Sequence, residues 1–178
     1  TTTIPERWYS DTIWGKRVVA DDTLFEIMSL QVFQAGLGWR LILNKRDGFR
    51  IAFHNWSIPA VAHFGPDAVE RLLNDPSIIR NRSKIHATVH NAQQVLEIQR
   101  VHGSFTHWFY EVLGGNSYPT LQRELGSLFK FMGPELCRMW LMAERGMIKG
   151  DPVLFAIKDI HLYAVAFCFL SLIFLTGK

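Results

Sequence analysis

The sequence predicts an all-α domain, and two features carry this prediction. Apolar residues recur at helical spacing in several long segments, for example at Leu24, Ile27 and Met28. No segment alternates polar and apolar residues between hairpin turns, so no strand is expected. Proline at Pro66 fits the first position of a further helix, where a missing backbone N–H costs nothing.

Composition narrows the class of protein. The chain has 178 residues, of which 48% are apolar and 20% charged, so it is long enough to bury a core and is not disordered. The net charge of +3 is compatible with a polyanionic partner. Two cysteines, Cys137 and Cys168, exclude a disulfide framework and a thiolate-rich metal site. Together with the lack of a secretory signal, they predict an intracellular protein.

The N-terminal segment carries three large rings within seven residues, at Trp8, Tyr9 and Trp14, without periodicity. Such a segment is expected to lie across the body of the protein. The rings can serve as core packing or as faces on which a flat ligand stacks, and both interpretations stay open.

The first helix has a start signal and a stop signal. Thr23 and Glu26 match a capping box, and Gly36 suits the left-handed residue that ends a helix. Beyond the stop, Leu37 and Trp39 present apolar surface. Exposed apolar surface indicates a docking site, but a packed corner explains the same pattern.

The segment from Trp39 to Phe53 alternates apolar and basic residues and predicts one or two amphipathic helices, interrupted near Asp47-Gly48. A strongly basic segment, residues 80–84, then precedes a long helix that ends near His102-Gly103. His86 and His90 stand four apart on that helix. Without a third ligand they are better interpreted as a polar helix face than as a metal pair.

Two later helices flank a short glycine-containing hairpin. Helical sequence ends at Leu128, the hairpin reads Phe129-Lys130-Phe131-Met132-Gly133, and Pro134 opens the next helix. This is the shape of a helix-hairpin-helix, whose free backbone N–H groups and positive helix end suit a phosphate. Any helix pair joined by a glycine turn looks similar, so the pattern alone is weak.

The C-terminal segment differs in composition. Residues 162–175 are almost continuously apolar, which is too short for a comfortable membrane span of about 20 residues. Burial, a membrane-surface anchor and a dimerising segment remain alternatives. We therefore divide the chain into a domain, residues 1–150, and an apolar tail, residues 151–178.

Several motifs together resemble the DNA-3-methyladenine glycosylase I family of the helix-hairpin-helix glycosylase superfamily. They occur in the family's order over about four-fifths of the chain. The matching segments are Leu24-Phe25-Glu26, Gln34-Ala35-Gly36-Leu37-Gly38-Trp39, Lys45-Arg46-Asp47-Gly48-Phe49-Arg50, Ile78-Ile79-Arg80-Asn81-Arg82-Ser83-Lys84-Ile85, Asn91-Ala92 and Phe129-Lys130-Phe131-Met132-Gly133.

The resemblance implies a DNA glycosylase that excises N3-methyladenine from double-stranded DNA by flipping the alkylated base out of the duplex, in base-excision repair. The implied base-binding residues are Tyr9, Trp14, Gln31 and Trp39, with Gln31 also at the catalytic position. Leu37 is the implied wedge in the base stack. The implied contacts to the DNA backbone are Lys130 and Gly133. Further candidates, for each of which solvated surface charge is the favoured interpretation, are Lys45, Arg46, Arg80, Arg82 and Lys84.

This chain departs from the family at three places. Gln31 replaces a glutamate, which keeps hydrogen-bonding capacity but removes a charge that favours a cationic base. The family's zinc ligands are missing, with Ser10 at the position of one histidine, so we expect no metal and no other cofactor. The apolar tail has no counterpart, and we expect it to pack where the zinc would join the chain ends.

Two functions therefore stay open: a metal-free glycosylase for alkylated purines, and a DNA-binding relative with impaired catalysis that keeps the pocket and the hairpin. In either case we expect a monomer in the cytoplasm, associated with the nucleoid and not with a membrane.

Overall fold

The computed structural model describes residues 7–13 and 15–145, with side chains through residue 142. Within these ranges all regular secondary structure is helical, which confirms the all-α prediction. Trp14 and the apolar tail lie outside the described residues. No helix in the described part of the chain is long and apolar enough to cross a membrane.

Nine α-helices follow one another along the described chain, joined by short turns. In order they are α1 (Asp21–Gln34), α2 (Trp39–Asn44), α3 (Arg46–Ala52), α4 (Ile58–Ala62), α5 (Pro66–Leu73), α6 (Arg82–His102), α7 (Phe105–His107), α8 (Tyr118–Leu128) and α9 (Pro134–Arg145). A π-helical turn, Tyr9–Ile13, precedes α1, and a second one, Trp108–Val112, continues α7.

The longest helix, α6, organises the packing. It lies against α1, α4, α5 and α7, so its buried residues contact most of the fold. Part of the core beside α1 is aromatic: the rings of Phe53 and Trp56 stack with centroids 4.8 Å apart and planes 9° apart. Both side chains are almost fully buried. Their burial and ring contact make a large apolar contribution to stability.

The predicted capping box at Thr23 is wrong. Helix α1 begins at Asp21, and Ala20 precedes it without a side-chain cap. Glu26 is buried and pairs with Arg46. A buried carboxylate without a cation is costly, so the Glu26 side chain pairs with Arg46 and does not cap the helix start. Asp21 instead accepts hydrogen bonds from the backbone N–H groups of Phe105 and Thr106, which joins α1 to α7.

The predicted interruption of the helix near Asp47-Gly48 is also misplaced. Helix α2 ends at Asn44 and α3 begins at Arg46, so the interruption lies at Lys45. Gly48 is inside α3 for a different reason. A Cβ atom at this position would stand 2.6 Å from the backbone oxygen of Ser77, so only glycine lets the two segments approach this closely.

Candidate active site

The turn between α1 and α2 presents Leu37 and Trp39 as the sequence predicts. Gly36 adopts a left-handed conformation with φ of 78°, which confirms it as the residue that ends α1. The Leu37 N–H donates to the Gln34 carbonyl over 2.6 Å, so the turn is internally bonded. Leu37 and Trp39 are half-buried and pack against the edge of the core. Each side chain therefore contacts the core on one side and is partly exposed to solvent.

Tyr9 and Trp39 come together at this turn. Their ring centroids are 4.8 Å apart with planes at 68°, an edge-to-face contact. Tyr9 is 9% exposed, so the N-terminal segment packs its ring into the core while it also supports Trp39. Of the three predicted aromatic pocket residues, the structure joins these two, and Trp14 lies outside the described residues.

Gln31 lies on α1 one turn before the Gln34–Trp39 turn. It is 3% exposed, and its Oε1 has no hydrogen-bond partner among the residues described. A buried acceptor without a partner costs about 1–3 kcal/mol, so this oxygen is well suited to receive a donor from a ligand. The sequence singles out the position, and the structure adds that its acceptor has no partner among the described residues.

The predicted phosphate contacts next to the turn are largely engaged within the protein. Arg46 donates to both carboxylate oxygens of Glu26, at 2.7 and 3.2 Å, and its guanidinium lies 3.5 Å from the centre of the Trp8 ring. Lys45 Nζ donates to the Pro76 carbonyl over 2.9 Å. Arg46 therefore ties the N-terminal segment to α1 and α3.

Arg80 and Arg82 lie at the surface before and at the start of α6. The Arg82 guanidinium pairs with Glu70 over 2.7 Å, and both side chains are more than half exposed. An exposed pair of this kind contributes only about 0–1 kcal/mol, so a phosphate can displace the carboxylate at little cost.

Lys84 does not fit its predicted place on a DNA surface. It is 6% exposed, and its Nζ donates to the carbonyl oxygens of Phe33 and Ala35 at 2.7 and 2.5 Å. Burial lowers the pKa of this ammonium. The side chain points into the protein and stabilises the end of α1, so we do not retain it as a phosphate contact.

The hairpin between α8 and α9 is present, with Lys130 and Gly133 both exposed. The first hydrogen bond of α9 runs from the Cys137 N–H to the Gly133 carbonyl. Phe131, at the hairpin tip, has a φ of 60° and a 43% exposed side chain. The hairpin and α6 together border an open groove of about 460 Å³, lined by Ser83, His86, Ala87, His90, Lys130 and Phe131.

Metal-binding groups are sparse in the part of the chain that the structure describes. No cluster of three or more histidine, cysteine or acidic residues occurs there. Ser10, at the position of a family histidine, donates its hydroxyl to the Arg7 carbonyl over 3.1 Å. Burial raises the pKa of the Cys137 thiol to about 12, which disfavours the thiolate that a metal needs.

Sequence reasoning missed the structural function of three polar residues: Glu26, Lys84 and Asn91. Asn91 is 1% exposed and makes two hydrogen bonds to the backbone of Lys130. The sequence could have indicated burial of Lys84 and Asn91, since the two residues share one face of α6 that is otherwise mainly apolar.

The chain is similar to proteins of one family. Residues 5–127 match the methyladenine glycosylase family. DNA-3-methyladenine glycosylase 1 of Escherichia coli (strain K12) is 29% identical over 153 residues, which cover 76% of this chain and 82% of that protein.

Two solved structures also share the fold. One is a Tyr-to-Phe variant of 3-methyladenine DNA glycosylase I in complex with 3-methyladenine, with a TM-score of 0.74, 26% identity and coverage of 85% of this chain and 93% of that one. The other is a Glu-to-Gln variant of 3-methyladenine DNA glycosylase I from Staphylococcus aureus, with a TM-score of 0.73, 27% identity and coverage of 85% of this chain and 93% of that one.

Proposed function

The chain belongs to the methyladenine glycosylase family, and we propose that it excises N3-methyladenine from double-stranded DNA. The observation that supports this proposal best is the contact between the rings of Tyr9 and Trp39, together with the buried Gln31 Oε1, which has no hydrogen-bond partner among the described residues. In this proposal the reaction is hydrolysis at the N-glycosidic bond. Water adds to C1′ of the deoxyribose and loses a proton to the solvent. The bond to N9 breaks, and its electron pair neutralises the cationic base.

The ring pair suits a flat, cationic ligand. Stacking of a base on an aromatic side chain contributes about 1–3 kcal/mol, and a positive charge on the base adds a cation–π attraction of about 0.5–2 kcal/mol. Because Tyr9 braces Trp39 edge to face, the indole is held in place before the base arrives. Trp14 completes the aromatic set in this proposal.

Gln31 supplies the polar contact. Its Oε1 is an acceptor, and the exocyclic amine of adenine is a donor, so the two are complementary. An amide carries no charge, however, and therefore favours the cationic base over neutral adenine less than a carboxylate does. The chemistry of the leaving group offsets this weaker preference for the cationic base. A base that already carries positive charge departs readily once the pocket stabilises the extrahelical state.

Leu37 and the hairpin hold the DNA in this proposal. Leu37 fills the gap that the flipped base leaves in the stack, and Lys130, Gly133 and the start of α9 bind the backbone. Arg82 and Arg80 add exposed charge, with Lys45 and Arg46 as weaker candidates because the protein already engages them. One copy of the chain acts on alkylated DNA at the nucleoid, without a metal or other cofactor.

The neutral Gln31 favours one alternative, a DNA-binding relative that keeps the pocket but no longer completes the reaction. Chromatography of the supernatant after incubation with methylated duplex DNA separates the two functions. We expect free 3-methyladenine from this protein. Tight binding to a duplex with an abasic-site analogue, without any released base, would support the alternative and refute the enzyme.

A further inference from the structure

Helix α6 buries two polar side chains, Lys84 and Asn91, on one face. They are seven residues apart, which is two helical turns and a rise of about 10 Å. Lys84 is 6% exposed and Asn91 is 1% exposed. Buried polar groups of this kind are expensive unless they are fully hydrogen-bonded, so their partners indicate what they do.

Lys84 holds the end of α1. Its Nζ donates to the carbonyl oxygens of Phe33 and Ala35, which lie at the helix end, where carbonyls lack intrahelical partners. The ammonium also complements the negative end of the helix dipole. Ala35 is two residues before Leu37, so this contact anchors the entry to the Gln34–Trp39 turn.

Asn91 holds the hairpin. Its side-chain oxygen accepts from the Lys130 N–H over 2.7 Å, and its amide donates to the Lys130 carbonyl over 3.2 Å. His90, the preceding residue, approaches the Leu128 carbonyl with its Nε2 at 3.3 Å. The hairpin, in which Phe131 has a left-handed conformation, is therefore hydrogen-bonded to α6 through two successive residues, His90 and Asn91.

We propose that α6 is a rigid spacer, in which Lys84 and Asn91 are positioning residues that fix the Gln34–Trp39 turn and the 129–133 hairpin at one separation. This inference rests on the proposed function. Insertion of Leu37 unstacks the neighbouring bases, and backbone contacts elsewhere offset this cost only when the turn and the hairpin reach the same duplex together.

The test compares Lys84→Met and Asn91→Leu, which remove the polar groups with little change in volume. Thr88→Val is the matched control, because Thr88 lies between them on α6, is fully buried, and bonds only the Lys84 carbonyl of its own helix. Binding is measured at several salt concentrations with an intact duplex and with a duplex that carries an abasic-site analogue beside 2-aminopurine. The fluorescence of 2-aminopurine reports local unstacking.

Each variant has its own expected signature. In Lys84→Met, preference for the abasic duplex falls about tenfold or more, equivalent to about 1.4 kcal/mol of binding free energy. The fluorescence change shrinks while the salt slope is kept, because the turn is displaced and the phosphate contacts are not. In Asn91→Leu, affinity for both duplexes falls together, and the salt slope decreases by about 0.9 for each phosphate that the hairpin no longer neutralises. Thr88→Val keeps the preference and the slope of the unsubstituted protein even where its melting temperature is lower.

The spacer would be overturned if Lys84→Met kept the preference for the abasic duplex and Asn91→Leu kept the salt slope of the unsubstituted protein. Equal losses of preference or slope in Thr88→Val would overturn it too. If Lys84→Met or Asn91→Leu fails to fold, Lys84→Gln and Asn91→Asp, which each keep part of the bonding, must show the same two signatures in weaker form. If the unsubstituted protein neither prefers the abasic duplex nor releases base, the proposed function itself fails and the spacer fails with it.

Discussion

The ring of Tyr9 meets the ring of Trp39 edge to face, with centroids 4.8 Å apart. The contact joins the N-terminal segment to the turn after α1, two parts of the chain that are 30 positions apart. The contact supports the Trp39 ring from one side, and in the proposed function this ring forms one wall of the base pocket. The effects of substitution at this wall and at Gln31 are therefore expected to appear in ligand binding more than in stability.

Replacing Trp39 with alanine removes the face on which a base stacks. We expect the dissociation constant for free 3-methyladenine to rise by about 5- to 150-fold, equivalent to about 1–3 kcal/mol of stacking. Equilibrium titration, monitored by calorimetry, measures it. Leu41→Ala is the control, because Leu41 lies on the same helix and is 42% exposed but carries no ring. Equal weakening in both variants would show that the effect comes from α2 and not from the indole.

Gln31→Glu places a negative charge at the unpaired acceptor of this position. A charge-assisted hydrogen bond contributes about 1.5–3 kcal/mol and a neutral one about 0.5–1.5 kcal/mol, so binding of a cationic alkylated purine should strengthen by the difference, about 5- to 15-fold. Binding of neutral adenine should not gain in the same way. Parallel titrations with a cationic alkylated nucleoside and with neutral adenosine check this difference, and an equal gain for both ligands would contradict it.

Arg46→Met leaves the buried carboxylate of Glu26 without its cation. The two side chains are only 18% and 7% exposed, and removing one partner of a buried pair costs about 3–5 kcal/mol of unfolding free energy. Urea unfolding measures this loss. Adding Glu26→Gln should recover a large part of it, because an amide tolerates burial better than an unpaired charge. Arg82→Met, at an exposed pair, should cost at most about 1 kcal/mol.

Acid should destabilise the protein partly through Asp21. Burial opposes ionisation of this carboxyl, but hydrogen bonds from Gln99, Phe105 and Thr106 outweigh it and hold the pKa below its ordinary value of 3.8. A depressed pKa means that Asp21 stabilises the fold above its ordinary value and loses this contribution as the pH falls through the lowered one. Asp21→Asn should therefore flatten the dependence of unfolding free energy on pH between roughly pH 2 and 5.

The neighbouring Asp22 supplies a control of opposite sign. Burial raises its pKa, despite a hydrogen bond from the Ile58 N–H, so its ionisation destabilises the folded state as the pH rises through that value. Asp22→Asn keeps an acceptor for Ile58 and should make the protein more stable near neutral pH. Asparagine substitutions that act alike at both positions would contradict this account.

Local signals predicted several elements correctly. Gly36 ends α1, Pro66 and Pro134 each begin a helix, and the hairpin lies where glycine and proline placed it, because these residues act through their own backbone preferences. What the sequence did not predict depends on partners far along the chain. Lys84 bonds carbonyls 49 and 51 positions away, and nothing in the basic run around it distinguishes a buried ammonium from a solvated one.

The same limit applies to the site. The identity of the pocket residues came from the family resemblance, whereas the contact between Tyr9 and Trp39 depends on how the N-terminal segment crosses the fold. Glu26 looked like a helix cap because its spacing from Thr23 is correct. Its pairing with Arg46 follows from burial, which local spacing does not reveal.

Single-turnover release of base from methylated duplex DNA, with protein in excess, tests the central claim most directly. The account predicts that free 3-methyladenine appears with one exponential phase, that Trp39→Ala slows it by at least about tenfold, and that Leu41→Ala leaves it unchanged. Absence of released 3-methyladenine from the unsubstituted protein, or release at the same rate from Trp39→Ala, would contradict a glycosylase that holds the base against Trp39.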